Sequence, residues 1–197
     1  MAEIVPTVLC ENAEDYKLTI ERLSPFAKRV HLDLADGEFA PTKTVELSEM
    51  WWQQDWQVDI HAMVARPSLY VDALVQMRPS LVIFHAEVDE DLQPSIQQLK
   101  ASGIQTGVGL LRPTVPNTVK DVISAVDHVL VFSGDLGHYG GKASLMQLEK
   151  VRLIRSIHPS VEVGWDGGAT LENVFSLAQG GVNIVNCDKT MEIGRAS

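Results

Sequence analysis

Residues 30–37 read Val-His-Leu-Asp-Leu-Ala-Asp-Gly: an apolar run that carries His31 and Asp33, then breaks at Asp36-Gly37. Two further runs carry residues of the same kind. VDIHAMV, residues 58–64, holds His61, and VEVGWDGG, residues 161–168, holds Asp166. In a parallel barrel the carboxyl ends of the strands converge on one face, so side chains far apart in sequence can meet there. Two His and two Asp form a mixed nitrogen and oxygen set that suits zinc, iron, manganese or cobalt better than calcium.

The rest of the chain supports such a barrel. Short apolar runs at Ile4–Leu9, Arg29–Leu34, Gln57–Val64, Leu81–His85, Gln105–Leu110, His128–Phe132, Val161–Trp165 and Asn183–Asn186 are predicted strands. Between them Ala13–Leu23, Pro67–Met77, Leu92–Ser102, Val115–Val126, Ser144–His158 and Leu171–Gly180 are predicted helices. Strands alternating with helices give a parallel sheet, and eight strands favour a closed TIM (β/α)8 barrel over an open sheet. Glu46–Gln57, with Trp51, Trp52 and Trp56, has room for only a short helix. After the last strand only CDKTMEIGRAS remains, so the last outer helix is expected to be missing or truncated. The uncovered apolar stripe this would leave predicts a homo-oligomer.

The chain has 197 residues, 45% hydrophobic and 21% charged, the profile of one globular domain over residues 1–197. Its net charge of −10 argues against nucleic acid and anionic membrane surfaces. It has two cysteines, Cys10 and Cys187, with no C-x-x-C motif, which fits a reducing compartment. The start shows no secretory signal and no run long enough to span a bilayer, so a cytoplasmic protein is expected.

A metal held by two His and two Asp suits a sugar substrate. The carbonyl and its neighbouring hydroxyl can both bind the ion, which stabilises the enediolate formed when the carbon between them loses a proton. An aspartate on each side could take the proton from one face and return one to the other, inverting a single stereocentre.

The motifs VPTVLC, HLDLADGEFAPT, DIHAMV, FHAE, GLLRPTVP, YGGK and DGGATLENV, taken in this order, resemble those of the ribulose-phosphate 3-epimerase family over nearly the whole chain. The resemblance implies a TIM barrel that epimerises a ketose phosphate with one divalent metal. It implies His31, Asp33, His61 and Asp166 as ligands, with Asp33 and Asp166 also serving as acid and base. Thr7, Met63, Gly140, Gly141, Gly167 and Gly168 would meet the small-molecule sugar phosphate.

The chain also departs from the family's pattern. Thr7 stands where the family has serine, and Ala35 removes a methionine. The loop GDLGHYGGK, residues 134–142, gains His138 and Tyr139. At the last strand's end Asn186, Cys187 and Asp188 replace the small residues whose backbone holds phosphate, and Lys142 or Lys189 could offset Asp188. A changed sugar, or a non-catalytic metal-binding paralogue, are the rival readings. His85 is expected to be structural, Asp36 to make a turn, and Arg112 to be solvent-exposed. The carboxylates Glu46, Glu49, Glu87, Asp89, Glu90 and Asp91 are expected to form a solvated face.

Overall fold

A computed structural model describes residues 2–138 and 141–187. Eight strands close into one parallel barrel in sequence order. They are β1 (Glu3–Val8), β2 (Arg29–Ala35), β3 (Gln57–Met63), β4 (Leu81–His85), β5 (Gln105–Leu110), β6 (His128–Phe132), β7 (Glu162–Asp166) and β8 (Ile184–Cys187). The TIM barrel is therefore as the sequence predicts, with strand ends shifted by one residue at most places where they differ.

The side-chain alternation of a strand explains the layering. Even-numbered residues of β2 and β3 (Val30, Leu32, Leu34, Val58, Ile60 and Ala62) belong to the main apolar cluster, under the helices. The odd-numbered partners form the barrel interior. There Leu81, Ile83 and Leu130 make a small separate apolar layer. At the amino-terminal strand ends Arg29 is bonded to Asp59 and Glu162. Toward the carboxyl ends sit His31, Asp33, His61 and His85. The register places Asp33 directly beside His61 across the β2–β3 pair.

Six α-helices cover the barrel among the described residues: α1 (Ala13–Leu23), α2 (Val71–Met77), α3 (Gln93–Ala101), α4 (Lys120–Ala125), α5 (Leu148–Ile157) and α6 (Val174–Gln179). α1 begins with Asn12, whose side chain accepts the Asp15 N–H, as a good N-cap does. It turns Tyr16, Ile20 and Leu23 inward, the spacing of a helix face. Three predicted helices begin later than expected, because 3₁₀ turns at Pro67–Leu69, Pro116–Val119 and Leu145–Gln147 occupy their first turns. The first two start on proline, which fits a first turn.

Between β2 and β3 only the 3₁₀ turn Leu47–Glu49 forms. Coil carrying Met50 and Trp56, both buried, covers the strands instead. The Tyr16 phenol fastens this segment by donating to the Trp51 carbonyl at 2.7 Å. The residues after β8, including Met191–Ser197, lie outside the described ones.

Candidate metal centre

β2, β3 and β7 bring the four predicted ligands together. One candidate donor atom from each of His31, Asp33, His61 and Asp166 lies within 4.8 Å of the other three. His61 Nδ1 is 2.8 Å from Asp33 Oδ1 and 3.5 Å from Asp166 Oδ2. His31 Nε2 is 3.5 Å and 3.7 Å from the same two carboxylates. Both imidazoles are fully buried, and Asp166 keeps 13% of its side chain exposed, toward the barrel mouth.

The donor set fits a divalent cation. Neither ring nitrogen of buried His31 has a hydrogen-bond partner among the described residues, although buried polar atoms are nearly always paired. An ion between Nε2 and the carboxylates would satisfy it. Burial alone would push the His31 imidazole down, yet Asp33 and Asp166 outweigh burial and leave it raised. The centre thus favours positive charge. Two nitrogens and two carboxylate oxygens suit zinc, iron, manganese or cobalt.

The two carboxyls differ. Burial would raise Asp33, but the His31 and His61 imidazoles beside it outweigh that and hold the group low. Asp166 is raised, by burial first and then by the charge of Asp33.

A cleft opens above these groups, lined among others by Thr7, Met63, His138, Gly167, Gly168 and Asn186. His138 therefore faces the candidate site. Gly141 belongs to the adjoining loop with φ +81°. Gly140, Tyr139, Asp188 and Lys189 lie outside the described residues. Gly167 adopts φ +92°, and a Cβ there would come within 2.0 Å of the Gly134 nitrogen. Only glycine lets the two loops touch this closely. Two buried oxygens on the cleft wall, Thr7 Oγ1 and Asn186 Oδ1, have no hydrogen-bond partner among the described residues.

Asp36 makes its expected turn, accepting the N–H groups of Glu38 and Phe39. Arg112 is exposed, as expected, and it also donates to the carbonyls of Ser133 and Gly134 and to Asp135, which ties down the loop after β6. His85 is structural in the sense expected. Its Nε2 lies 2.8 Å from His61 Nε2, and its Nδ1 lies 3.3 Å from Glu87 Oε2.

Glu87 corrects the reading of a solvated acidic face. It accepts the Leu111 N–H at 2.8 Å and the Thr114 hydroxyl, besides facing His85. The only sequence signal for it is its place in FHAE, two residues beyond His85. Glu90 also points to a partner, accepting from the Ser68 N–H and hydroxyl.

No helix among the described residues is long and apolar enough to cross a membrane. Similarity to known proteins runs along the whole barrel. A ribulose-phosphate 3-epimerase of Helicobacter pylori is 30% identical, over 93% of this chain and 87% of its own. The cytoplasmic isoform of Oryza sativa subsp. japonica is 31% identical, over 93% of this chain and 84% of its own. Among solved structures, 3-hexulose-6-phosphate synthase from Salmonella typhimurium superimposes with TM-score 0.72 at 13% identity, over 98% of this chain and 92% of that one. A tryptophan synthase alpha-subunit from Pyrococcus furiosus gives 0.74 at 14%, over 94% and 86%; likeness at this identity shows the fold alone. The model of the ribulose-phosphate 3 epimerase family, whose reaction is that of a carbohydrate isomerase, matches residues 3–191, and the chain belongs to that family.

Proposed function

We propose that this chain is a single-domain, metal-dependent 3-epimerase of a ketose phosphate. The observation that carries the reading is the Asp33–Asp166 pair: two carboxyls from different strands at the barrel mouth, beside two buried imidazoles. His31, His61, Asp33 and Asp166 would hold the ion, which is zinc, iron, manganese or cobalt. When bound, a divalent ion supplies Lewis acidity to the ketose carbonyl and adjacent hydroxyl.

Asp33, held ionised, removes the proton from the carbon between those oxygens. Asp166 delivers a proton to the opposite face, and the roles exchange in the reverse direction. Met63, 1% exposed, forms an apolar wall that keeps bulk water from the reacting carbon. Thr7 and the backbone at Gly140, Gly141, Gly167 and Gly168 orient the phosphorylated chain of the substrate. A different sugar in the same barrel is the second reading, favoured by the unpartnered Asn186 oxygen on the cleft wall. The protein acts in the cytoplasm as a homo-oligomer, on a small molecule and without nucleic acid or membrane. In support, Trp51 and Phe26 are 41% and 46% exposed.

The test is solvent deuterium incorporation into a ketose phosphate by metal-loaded protein. Asp33→Asn and Asp166→Asn should each lower exchange by roughly 10²–10⁴-fold, the usual worth of an acid or base. Exchange at the wild-type rate in both variants would overturn the assignment.

A further inference from the structure

The path leading away from His61 has a chemical direction. An ionised carboxylate can only accept hydrogen bonds. Glu87 Oε1 already receives two donors, the Leu111 N–H and the Thr114 hydroxyl. Its Oε2 faces His85 Nδ1 at 3.3 Å, so that nitrogen bears the hydrogen. A neutral imidazole then offers a lone pair at Nε2, which lies 2.8 Å from His61 Nε2. His61 must donate from Nε2, which leaves the lone pair of Nδ1 facing Asp33 and Asp166.

The His85 ring cannot turn to escape this order. Phe39 stacks on it with centroids 4.9 Å apart, and Phe132 meets it edge-on at 6.0 Å. Gly109 makes room on the third side, where a Cβ would lie 3.0 Å from the ring.

We propose that Glu87 is a positioning residue that acts through His85 to keep hydrogen off His61 Nδ1, and so makes that nitrogen a metal ligand. The inference rests on the metal-binding reading above. It concerns Glu87 and His85, neither of which belongs to the ligand set.

Glu87→Gln tests it with almost no change of shape. The amide oxygen stays with Leu111 and Thr114, both donors, and the NH₂ group turns toward His85 Nδ1. That nitrogen must now accept, so the order reverses and His61 Nδ1 acquires the hydrogen. Titration calorimetry with Zn²⁺ on metal-free protein should show affinity falling about 10–100-fold, the usual cost of losing such a partner. The melting temperature of the metal-free variant should stay close to wild type, whereas a purely structural Glu87 would lower it. Nitrogen-15 spectra of histidine in Zn²⁺-loaded wild type should show His85 protonated at Nδ1 and His61 at Nε2. Those spectra decide the question alone if the variant does not fold. Wild-type affinity in Glu87→Gln, or hydrogen on His85 Nε2 in the loaded wild type, overturns the relay alone. A wild-type protein that binds no Zn²⁺ overturns the relay and the metal reading together.

Discussion

Asp36 reaches out of its own turn after β2 and accepts the Ala65 N–H at 2.7 Å, in the loop after β3. With the Glu38 and Phe39 N–H groups on its other oxygen, one carboxylate holds two loops at the mouth of the barrel. Burial would raise this carboxyl, yet the donated N–H groups outweigh it and lower its pKa. Asp36→Ala should cost about 1–3 kcal/mol, the range for unpaired backbone donors and a lost charged acceptor. Urea unfolding measures it. Zn²⁺ affinity should hold within a few-fold, because no ligand sits on either loop.

Gly167 offers a harsher test, since an added methyl strains the backbone at φ +92° and strikes Gly134. Gly167→Ala should destabilise the protein by about 1–3 kcal/mol or more. That corresponds to roughly 2–4 °C in melting temperature per kcal/mol for a chain of this size. Because Asp166 is the preceding residue, kcat should fall more than KM rises. A variant with unchanged kcat would show that the loop adjusts without disturbing Asp166.

Asn186 should separate a binding role from a structural one. Its buried Oδ1 has no partner among the described residues, so Asn186→Ala removes an unsatisfied group and should leave stability unchanged or slightly raised. If the amide instead meets substrate, KM for the ketose phosphate should shift by roughly 10-fold, one hydrogen bond's worth. Equal KM in both proteins would remove Asn186 from the list of substrate contacts.

How much of this was legible in the sequence follows from what a barrel makes regular. His31, Asp33, His61 and Asp166 stand near the carboxyl ends of their strands, and parallel closure alone gathers such positions. Glu87 was not legible. In the run Glu87–Asp91 every acidic residue looks alike, and its inward turn depends on donors from Leu111 and Thr114 on the next loop. The 3₁₀ turns at Pro67 and Pro116 escaped for a different reason: their apolar spacing continues that of the helices that follow. The unpaired oxygen of Asn186 is likewise a tertiary fact, visible only once β8 lies beside β1.

The opposite end of the barrel governs acid stability. Burial would raise Glu162, but hydrogen bonds from His128 and Arg29 outweigh it and bring its pKa from 4.5 down to about 2. A depressed carboxyl stabilises the fold above its unfolded pKa and loses that contribution as pH falls through the folded value. Wild type should therefore weaken between about pH 4.5 and pH 2 more steeply than Glu162→Gln, with the variant less stable near neutrality. The carboxylate is 36% exposed, so solvent screening keeps the difference modest. Urea midpoints at about pH 6 and about pH 3 provide the comparison; parallel acid profiles would contradict it.

The coil that covers β2 and β3 has an engineering consequence. An added residue in a helix rotates every later side chain by about 100° and would disturb the packing beneath it. This coil is pinned at separate points instead, by bonds such as Trp56 N–H to the Gln53 carbonyl and the Tyr16 phenol to Trp51. Gln54 and Asp55 between those points are exposed. A short reporter peptide spliced after Gln54 would open the Gln53–Trp56 turn, while the Tyr16–Trp51 bond and the β2–β3 pairing keep His31 and His61 in register. This arc of the wall is where the barrel can be lengthened without being retuned.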